Sequence, residues 1–527
     1  MSPAKKSIFI GTDGKNLAFV FILVSSLFLL WGLCNGMIDV MDKHFQDELG
    51  LTKSQSAWVQ FAHYLGYFLM AMPAGWLASK LGYKGGIIAG LLIVATGGFW
   101  FIQAAHIAQF WAYLAGVCVI AAGLTFLETV ANPYTTVLGD PRYAATRINL
   151  AQSCNGVGWI FGPIVGGLFF YSKNAAGVST GSQTLYIPYA AIAVTVVVLA
   201  VVFYFAEVPD IKAEDDYHLD ENGGAEAEAA GPERQFSRGL VYLLLWLNAA
   251  VLIFACGMIL WVILNSLKAS LKLTDQQVNS FLEFGGAVAL LAAAAVLAPI
   301  AKKISHRSIW SHPHFTGATL AQFFYVAAQA GIFSFFINYM TTETPAIPAS
   351  WASGWLSGWL ETGKSGILHL SDQGAANLAS VGFACFLTGR FTGAGLLKKF
   401  SAHKMLGLYA LLNVAMTLVV VLKLGWISVI CVFASYFFMS IMFPTIFALG
   451  IFGLGARAKK ASSFIVMAIM GGAILPKLMG AVADKWNMSR GFAVPMVCFG
   501  LVAFYGLNWS RFSKAGSLQG GGPLVGH

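Results

Sequence analysis

The chain has 527 residues, of which 57% are hydrophobic and 10% are charged, with a formal net charge of +9 at pH 7. A soluble domain carries about 25% charged residues, so this composition excludes a soluble globular protein and indicates a polytopic protein of the lipid bilayer. The lysines and arginines lie in short loops between apolar runs and form no contiguous stripe. We therefore expect no nucleic-acid partner.

The apolar runs predict fourteen transmembrane helices. Each run is continuous for about 20 residues, without the alternation of a barrel strand, so helices are favoured over a barrel. Six precede a polar linker, two follow it, and six complete the chain. The predicted spans are 17–41, 54–79, 84–104, 108–137, 147–171, 184–206, 240–264, 281–301, 316–340, 375–397, 404–422, 426–452, 461–483 and 492–510.

The polar stretches predict the domain boundaries. The first linker is rich in acids and poor in apolar residues, so it cannot pack and we expect it to be flexible. An even number of inserted spans preserves the orientation of the second half. The predicted units are a six-helix bundle at 1–206, an acidic flexible linker at 207–239, an inserted hairpin with a basic connector at 240–310, a second six-helix bundle at 311–514 with an outer loop at 341–372, and a disordered tail at 515–527.

Basic residues in the short loops predict the orientation. Loops containing Lys80, Arg142, Lys302, Lys398 and Arg457 all lie on the same side as the N-terminus. Because lysine and arginine accumulate in cytoplasmic loops, this side is predicted to be cytoplasmic and both termini to be inside. We call the other side of the molecule the predicted outer end.

The longest loop of the predicted outer end contains three tryptophans with helical spacing. Trp351, Trp355 and Trp359 are separated by four residues each. This spacing indicates an amphipathic helix on the membrane surface, with the rings at headgroup level. An ordered loop that caps the outer mouth is the alternative interpretation.

Two halves of the sequence repeat weakly. The segment 132–139 resembles 443–450, with Pro and Leu-Gly in register and a Thr in each, and the next spans share the pairs Gly158 with Gly471 and Pro163 with Pro476. Both copies close a span on the same side, so the repeats run parallel. This pattern predicts two bundles related by an axis along the membrane normal. Glycines in the repeated spans also predict close helix approach.

Two acids lie inside apolar spans. Glu128 stands in Leu124–Gly139, which reads LTFLETVANPYTTVLG, and Asp39 stands in the first span. A carboxylate in lipid costs at least about 3 kcal/mol. Removal from water favours the protonated form, so either acid can load a proton from one side and release it to the other. A permanently neutral acid, hydrogen-bonded within the bundle, is the alternative for both.

Polar residues at membrane depth are candidates for binding a small ligand. Amides hydrogen-bond to the polar groups of a small ligand, and aromatic faces cover its apolar surface. The same side chains can instead join helices to one another. His63 is interpreted as a packing residue, with a proton relay as the alternative, and Lys477 as a side chain that extends outward or pairs with an acid such as Glu128. The candidate binding residues are Asp39, Asn35, Gln152, Asn155, Gln322, Tyr325 and Gln329.

Several motifs resemble known transporters. The segment 75–84, GWLASKLGYK, resembles the loop between the second and third helices of the major facilitator superfamily. More specific motifs resemble the fucose/proton symporter family of bacterial sugar transporters within it. They are Trp31 with Asn35 and Asp39, Leu127-Glu128-Thr129 with Ala131-Asn132-Pro133, Asn149-Leu150-Ala151-Gln152 with Asn155, Ala321-Gln322-Phe323 with Tyr325, Gly389-Arg390-Phe391-Thr392-Gly393, and Pro444-Thr445-Ile446-Phe447.

The resemblance implies an all-helical major facilitator fold with two six-helix bundles, to which the sequence adds an inserted two-helix hairpin. It also implies that Asp39 and Glu128 couple protons and engage sugar. We expect proton-coupled import of a monosaccharide, fucose or a related hexose, by alternating access. The alternatives are a fourteen-span exporter or peptide/proton symporter, and a sugar sensor that does not transport.

The polar segments and the cysteines bear on enzymatic activity and metal binding. The polar segments are too short for a catalytic domain, and the seven cysteines show neither paired spacing nor a Cys-x-x-Cys. We therefore expect no enzymatic activity, no metal and no cofactor other than the coupling proton. The expected location is the bacterial inner membrane, and the expected state is a monomer.

Overall fold

The computed structural model of the chain describes residues 9, 16–138, 144–172, 184–208, 237–271, 273–304, 308–348, 350, 358–362, 368–397, 400–452, 454 and 458–513. Most of these residues are helical. A helix pairs its backbone amides within its own segment, which an apolar environment requires.

The helices follow the predicted spans in chain order. In the first half and the insertion they are α1 (Ala18–Leu49), α2 (Lys53–Ser56), α3 (Trp58–Ile107), α4 (Phe110–Val137), α5 (Ala144–Phe170), α6 (Tyr186–Phe205), α7 (Arg238–Leu271) and α8 (Asp275–Lys303). In the second half they are α9 (Pro313–Ser334), α10 (Phe336–Thr342), α11 (Asp372–Leu397), α12 (Ala402–Val421), α13 (Trp426–Met439), α14 (Met442–Ile451), α15 (Ala458–Met467), α16 (Gly471–Lys485), α17 (Met488–Gly491) and α18 (Ala493–Ser513).

The candidate membrane-crossing helices do not contradict the fourteen spans predicted from the sequence. Among the described residues, twelve helices are long and apolar enough to span a bilayer, and α9 with α10, bent by 45°, forms a thirteenth. Helix α3 is broken at Gly82, where φ is 69° and ψ is −179°. Glycine adopts this conformation without the strain that a side chain would cause. The part of α3 before Gly82 is the remaining predicted span.

Glycines bring α1 and α5 into close contact. A Cβ atom built on Gly158 would lie 2.2 Å from the carbonyl oxygen of Leu29, and one on Gly162 would lie 2.6 Å from the Cα of Gly36. No side chain larger than hydrogen fits at such distances. The expected close approach of the glycine-rich spans is therefore confirmed, and α1 is held against α5 along one face.

Helix α1 is longer than its predicted span. It continues past residue 41 to Leu49, and its last turns carry Asp42, Lys43 and Gln46. The prediction stopped at the first cluster of polar residues. In the structure these residues contact protein, so the helix does not need lipid on that side.

Contacts between the two halves gather at the predicted outer end. The Gln46 and Asn338 amides hydrogen-bond to each other, and Gln46 also donates to Ser56 Oγ at 2.8 Å. The ammonium of Lys43 lies 3.7 Å from a carboxylate oxygen of Asp372. These pairs join α1 to α10 and α11.

A third contact of this kind involves α2. The carboxylate of Asp484, on α16, accepts hydrogen bonds from the backbone N–H groups of Lys53 at 2.9 Å and Ser54 at 2.8 Å. These N–H groups have no partner within their own helix. We call the Gln46–Asn338, Lys43–Asp372 and Asp484–α2 contacts the outer clasp. In this structure the clasp is closed.

The inserted helices α7 and α8 pack on each other, and α7 also packs on α9. Tyr242 donates a hydrogen bond to the Ala294 carbonyl at 3.2 Å, and Asn248 donates one to the Thr316 carbonyl at 3.1 Å. Much of the pair is apolar and exposed, including Phe284 at 74%. Such a surface suits contact with lipid.

A tryptophan of α7 joins the inserted pair to both halves of the fold. The rings of Trp261 and Trp58 stack with centroids 5.3 Å apart and planes 7° apart. The ammonium of Lys477, on α16, lies 3.2 Å from the centroid of Trp58 and 4.4 Å from that of Trp261. Lys477, whose interpretation was open, is thus placed on aromatic faces at the junction of α3, α7 and α16.

The loop of the predicted outer end contains a small antiparallel hairpin. Strand β1 (Leu360–Thr362) pairs with β2 (Leu368–Leu370), with Leu360 opposite Leu370. The carbonyl of Trp359 accepts a hydrogen bond from the Ser371 N–H at 2.9 Å. Trp351 and Trp355, on which the predicted amphipathic helix depends, lie outside the described residues.

We predict that Trp261→Leu loosens the inserted pair. The change removes a stacked ring and part of a cation–π contact, which costs about 1–2 kcal/mol. The expected result is a lower thermal unfolding temperature in detergent. The matched control is Phe254→Leu on the same helix, because Phe254 is 56% exposed. Equal unfolding temperatures for the two variants would contradict the assigned role of Trp261.

Candidate functional site

Asp39 lies where α1 meets the second half of the fold. Its side chain is 7% exposed, and Oδ1 accepts a hydrogen bond from Gln60 Nε2 at 3.0 Å. Oδ2 is buried and has no hydrogen-bond partner among the described residues. The phenol of Tyr436, from α13, lies close enough to Asp39 to interact with it electrostatically. Asp39 thus lies at the junction of the halves with acceptor capacity to spare.

A second acid, Asp42, lies one turn further along α1. It is 0% exposed, and neither carboxyl oxygen has a hydrogen bond within the described part of the chain. Gln60 and Ser334 are its polar neighbours. The sequence analysis missed Asp42 because the predicted span ended at residue 41. The Asp-x-x-Asp spacing was the available signal, since it places both acids on one helix face.

Glu128 lies on α4 and is half-buried. Its carboxyl acts electrostatically on the phenol of Tyr67, which also accepts a hydrogen bond from Trp31 Nε1 and lies beside Asn35. Asn35 is buried, and its Oδ1 has no partner among the described residues. The structure thus groups the predicted residues Glu128 and Asn35 around Tyr67.

Tyr64 connects these groups. Its phenol, on α3, lies within electrostatic range of Asp39, Asp42, Glu128 and also Tyr325 from the second half. The sequence analysis did not single out Tyr64, because one tyrosine in an aromatic-rich span carries no distinguishing pattern. Only the packing shows that this residue faces all three acids.

Gln152 and Asn155 share one face of α5, as predicted. Asn155 Nδ2 donates a hydrogen bond to Gln152 Oε1 at 3.1 Å, while the buried Asn155 Oδ1 has no partner among the described residues. A Cβ on Gly32 would lie 2.7 Å from Asn155 Oδ1. The pair therefore lies against α1, on the helix that carries Asn35 and Asp39.

The candidates of α9 differ in their surroundings. Gln322 is 0% exposed, and neither its Oε1 nor its Nε2 has a hydrogen-bond partner in the described residues. The hydroxyl of Tyr325 donates to the Met439 carbonyl at 3.1 Å. Gln329 is half-buried. Gln322 therefore keeps its full hydrogen-bonding capacity, whereas the Tyr325 proton is already used.

An aromatic group lies between the halves. Trp159, on α5, has its ring centroid 5.5 Å from that of Phe333 and 4.8 Å from that of Phe383. Phe333 also stacks on Tyr436 at 4.6 Å, and the Tyr436 hydroxyl is buried without a partner among the described residues. The sequence could not select these rings, because aromatic residues occur throughout the chain.

His63 packs beside the site. Its ring centroid lies 5.0 Å from that of Tyr64 and 5.1 Å from that of Tyr67, and its side chain is buried. These contacts fit its interpretation as a packing residue. Within the described part of the chain, no group of three or more His, Cys, Asp or Glu residues could hold a metal ion.

The site combines three chemical types of group. Carboxyls can accept hydrogen bonds and change charge, amides both donate and accept, and aromatic faces cover apolar surface. All three meet at the junction of the two halves. This combination suits a small polyhydroxyl ligand whose binding is sensitive to protonation.

A family comparison identifies the fold. The model of the Major Facilitator Superfamily matches residues 20–350, which is more than half of the chain. The protein is a major facilitator transporter. It is a multi-pass membrane protein and not an enzyme.

Relatives place this major facilitator protein in the fucose/proton symporter family. It is 32% identical over 495 residues to the L-fucose-proton symporter of Escherichia coli (strain K12), covering 93% of this chain and 94% of that protein. It is 26% identical over 498 residues to a glucose/galactose transporter of Brucella abortus, covering 94% and 95%. Both of these relatives are named as transporters of sugars.

Solved structures agree with the major facilitator fold. A crystal structure of the transporter FucP in the outward conformation matches with a TM-score of 0.57 and 30% identity, covering 94% of this chain and all of that one. A POT family transporter with a bound thioalcohol-conjugated peptide matches with a TM-score of 0.62. At 13% identity, the second match shows the fold alone.

We predict that Gln322→Leu leaves the protein as stable as the parent or makes it more stable. Removing an unpartnered buried amide relieves a desolvation cost of about 1–3 kcal/mol, and leucine has a similar volume. A thermal unfolding scan measures the change. A clear loss of stability would show that Gln322 joins helices, and Asn248→Leu, which breaks observed hydrogen bonds to Thr316 and Thr319, is the destabilised control.

Proposed function

We propose that this protein imports a monosaccharide, fucose or a related hexose, together with protons. The observation that carries the proposal is the group of buried, incompletely bonded acids and amides at the junction of the two bundles. The relatives named L-fucose-proton symporter and glucose/galactose transporter support the substrate class. Their identities with this chain are too low to select one sugar.

In this proposal, the sugar lies between α1, α5 and α9. Asp39 accepts hydrogen bonds from sugar hydroxyls, and the amides supply both donors and acceptors. Trp159 and Tyr436, added by the structure, cover the apolar face of the ring. The proposed sugar-binding residues are Asp39, Asn35, Gln152, Asn155, Gln322, Tyr325 and Gln329.

Asp39 and Glu128 are the proposed proton-coupling residues. A carboxyl that touches the sugar links the two ligands, because protonation changes both its charge and its hydrogen-bonding pattern. Glu128 is half-buried and lies beside Tyr67, so it is placed to exchange protons with water when the site opens. The phenol of Tyr64 lies within electrostatic range of both acids.

Transport follows from the alternating exposure of this site. With the outer clasp closed, the present structure corresponds to a state in which the site is closed at the predicted outer end. Separation of Gln46 from Asn338 and of Asp484 from α2 would give the opposite state. We further propose that the protein lies in a bacterial inner membrane with cytoplasmic termini, acts as a monomer and needs no cofactor except the proton.

Two other functions were left open by the sequence. A peptide/proton symporter or exporter shares the fold, but the peptide transporters match at 13–15% identity, which says nothing of substrate. A sugar sensor would bind without flux. Uptake of labelled L-fucose, D-glucose and D-galactose into proteoliposomes, with an imposed proton gradient, separates these functions. Peptide flux without sugar flux, or sugar binding without uptake, would refute the proposal.

We predict that Glu128→Gln abolishes accumulation of the transported sugar but spares its exchange. Glutamine keeps the shape of the protonated acid and cannot release a proton. Counterflow in preloaded proteoliposomes measures exchange, and uptake under a proton gradient measures accumulation. The same two assays on the parent protein are the control. A variant that still concentrates sugar against its gradient would remove Glu128 from proton coupling.

We predict that Asp39→Ala loses both accumulation and exchange. The alanine removes the carboxyl that accepts hydroxyl hydrogen bonds, and each lost charged hydrogen bond is worth about 1.5–3 kcal/mol. Counterflow should fall by roughly tenfold or more, since 1.4 kcal/mol is a factor of ten. The comparison variant is Asp39→Asn, which keeps an acceptor and should retain more exchange. Parental counterflow in Asp39→Ala would exclude Asp39 from the binding site.

A further inference from the structure

Asp42 has a position that the proposed coupling does not use. It lies on α1 between Asp39 and Gln46. Gln46 is one turn further along the helix and belongs to the outer clasp. Ser334, at the end of α9, covers it from the second bundle, and the Ser334 hydroxyl is itself buried without a partner among the described residues. Closure of the outer clasp therefore buries Asp42 at the surface where the two bundles meet.

The groups around Asp42 offer no compensating positive charge. Asp39 faces it from the same helix, Gln60 and Tyr64 from α3, and Tyr171 from the segment after α5. All are neutral or acidic. The neighbouring Lys43 forms its ion pairs with Asp47 and Asp372. Within the described residues, no ion pair includes Asp42.

The burial of an ionised carboxylate in these surroundings has a large free-energy cost. The cost of an isolated buried charge exceeds that of a neutral polar group by several kcal/mol, and a second acid one turn away raises it further. A neutral carboxyl avoids both penalties. When the bundles separate at the predicted outer end, Ser334 moves away from α1, and water can reach the carboxyl and accept its proton.

We propose that Asp42 is a proton interlock, a residue whose protonation is required before the outer clasp can close. The proton binds a carboxylate oxygen from water on the predicted outer side, and no other bond changes. Ionised Asp42 holds the clasp open, so the transporter does not close without a proton. This inference deepens the proposed function and rests on it for its role in symport, whereas the effect on clasp closure stands on the geometry alone.

The test measures the distance across the predicted outer end as pH changes. Spin labels replace Leu49, at the end of α1, and Leu422, just after α12; both are exposed and belong to different bundles. The background lacks the seven native cysteines. Electron–electron distance measurements in nanodiscs without sugar then report the closed fraction over about pH 5–9, the range in which a perturbed carboxyl titrates.

The expected result for the parent is a closed fraction that decreases as pH rises, with the ratio of closed to open falling by up to about tenfold per pH unit. In Asp42→Asn this dependence should be lost or strongly reduced, with the closed state favoured throughout. Glu48→Gln is the matched control: Glu48 lies on the same helix, outside the outer clasp, and acts electrostatically on Tyr113 of its own bundle, so its variant should keep the parental dependence.

Three results would overturn the inference: a pH-independent distance in the parent, an unchanged pH dependence in Asp42→Asn, or an equal loss in Glu48→Gln. Asp42→Leu, neutral and apolar, repeats the test if the asparagine variant does not fold. L-fucose uptake by the parent under a proton gradient is measured separately. Its absence would count against the proposed symport, while the distances would still decide the role of Asp42.

Discussion

The orientation of α1 is determined by the need to bury its two acids in protein, away from lipid. Asp39 and Asp42 lie one turn apart on a helix that is otherwise apolar for most of its length. Neither can face lipid, so their side of α1 must face protein. A second requirement comes from Gly32 and Gly36, which allow the backbone of α1 to contact α5 directly. Helix α1 is therefore fixed between α5 and the second bundle, and the acids are placed at the junction where the bundles move.

This placement connects the site to the outer clasp. The same helix that carries Asp39 at the center ends in Lys43 and Gln46, which contact Asp372 and Asn338 of the other bundle. A rotation of one bundle against the other would change the burial of the acids and break these polar contacts together. In the proposed transport cycle, α1 would thus carry both the polar contacts of the clasp and the buried acids.

The inserted helices α7 and α8 are attached differently. Their contact with the bundles includes Trp261, which stacks on Trp58 and shares the ammonium of Lys477. Since Trp58 belongs to the first bundle and Lys477 to the second, the insertion contacts both bundles. It adds an apolar surface without contributing a residue to the acid and amide group described above.

The sequence by itself determined the helical spans, the break near Gly82, the close-packing glycines and the acids Asp39 and Glu128, because hydropathy, backbone freedom and the cost of a charge in lipid are local properties. It also placed Gln152 and Asn155 on one face. Only the tertiary structure selected Asp42, Tyr64 and Tyr436. Which of many polar or aromatic side chains meet between two bundles depends on how the helices are rotated and packed, and no single span encodes that arrangement.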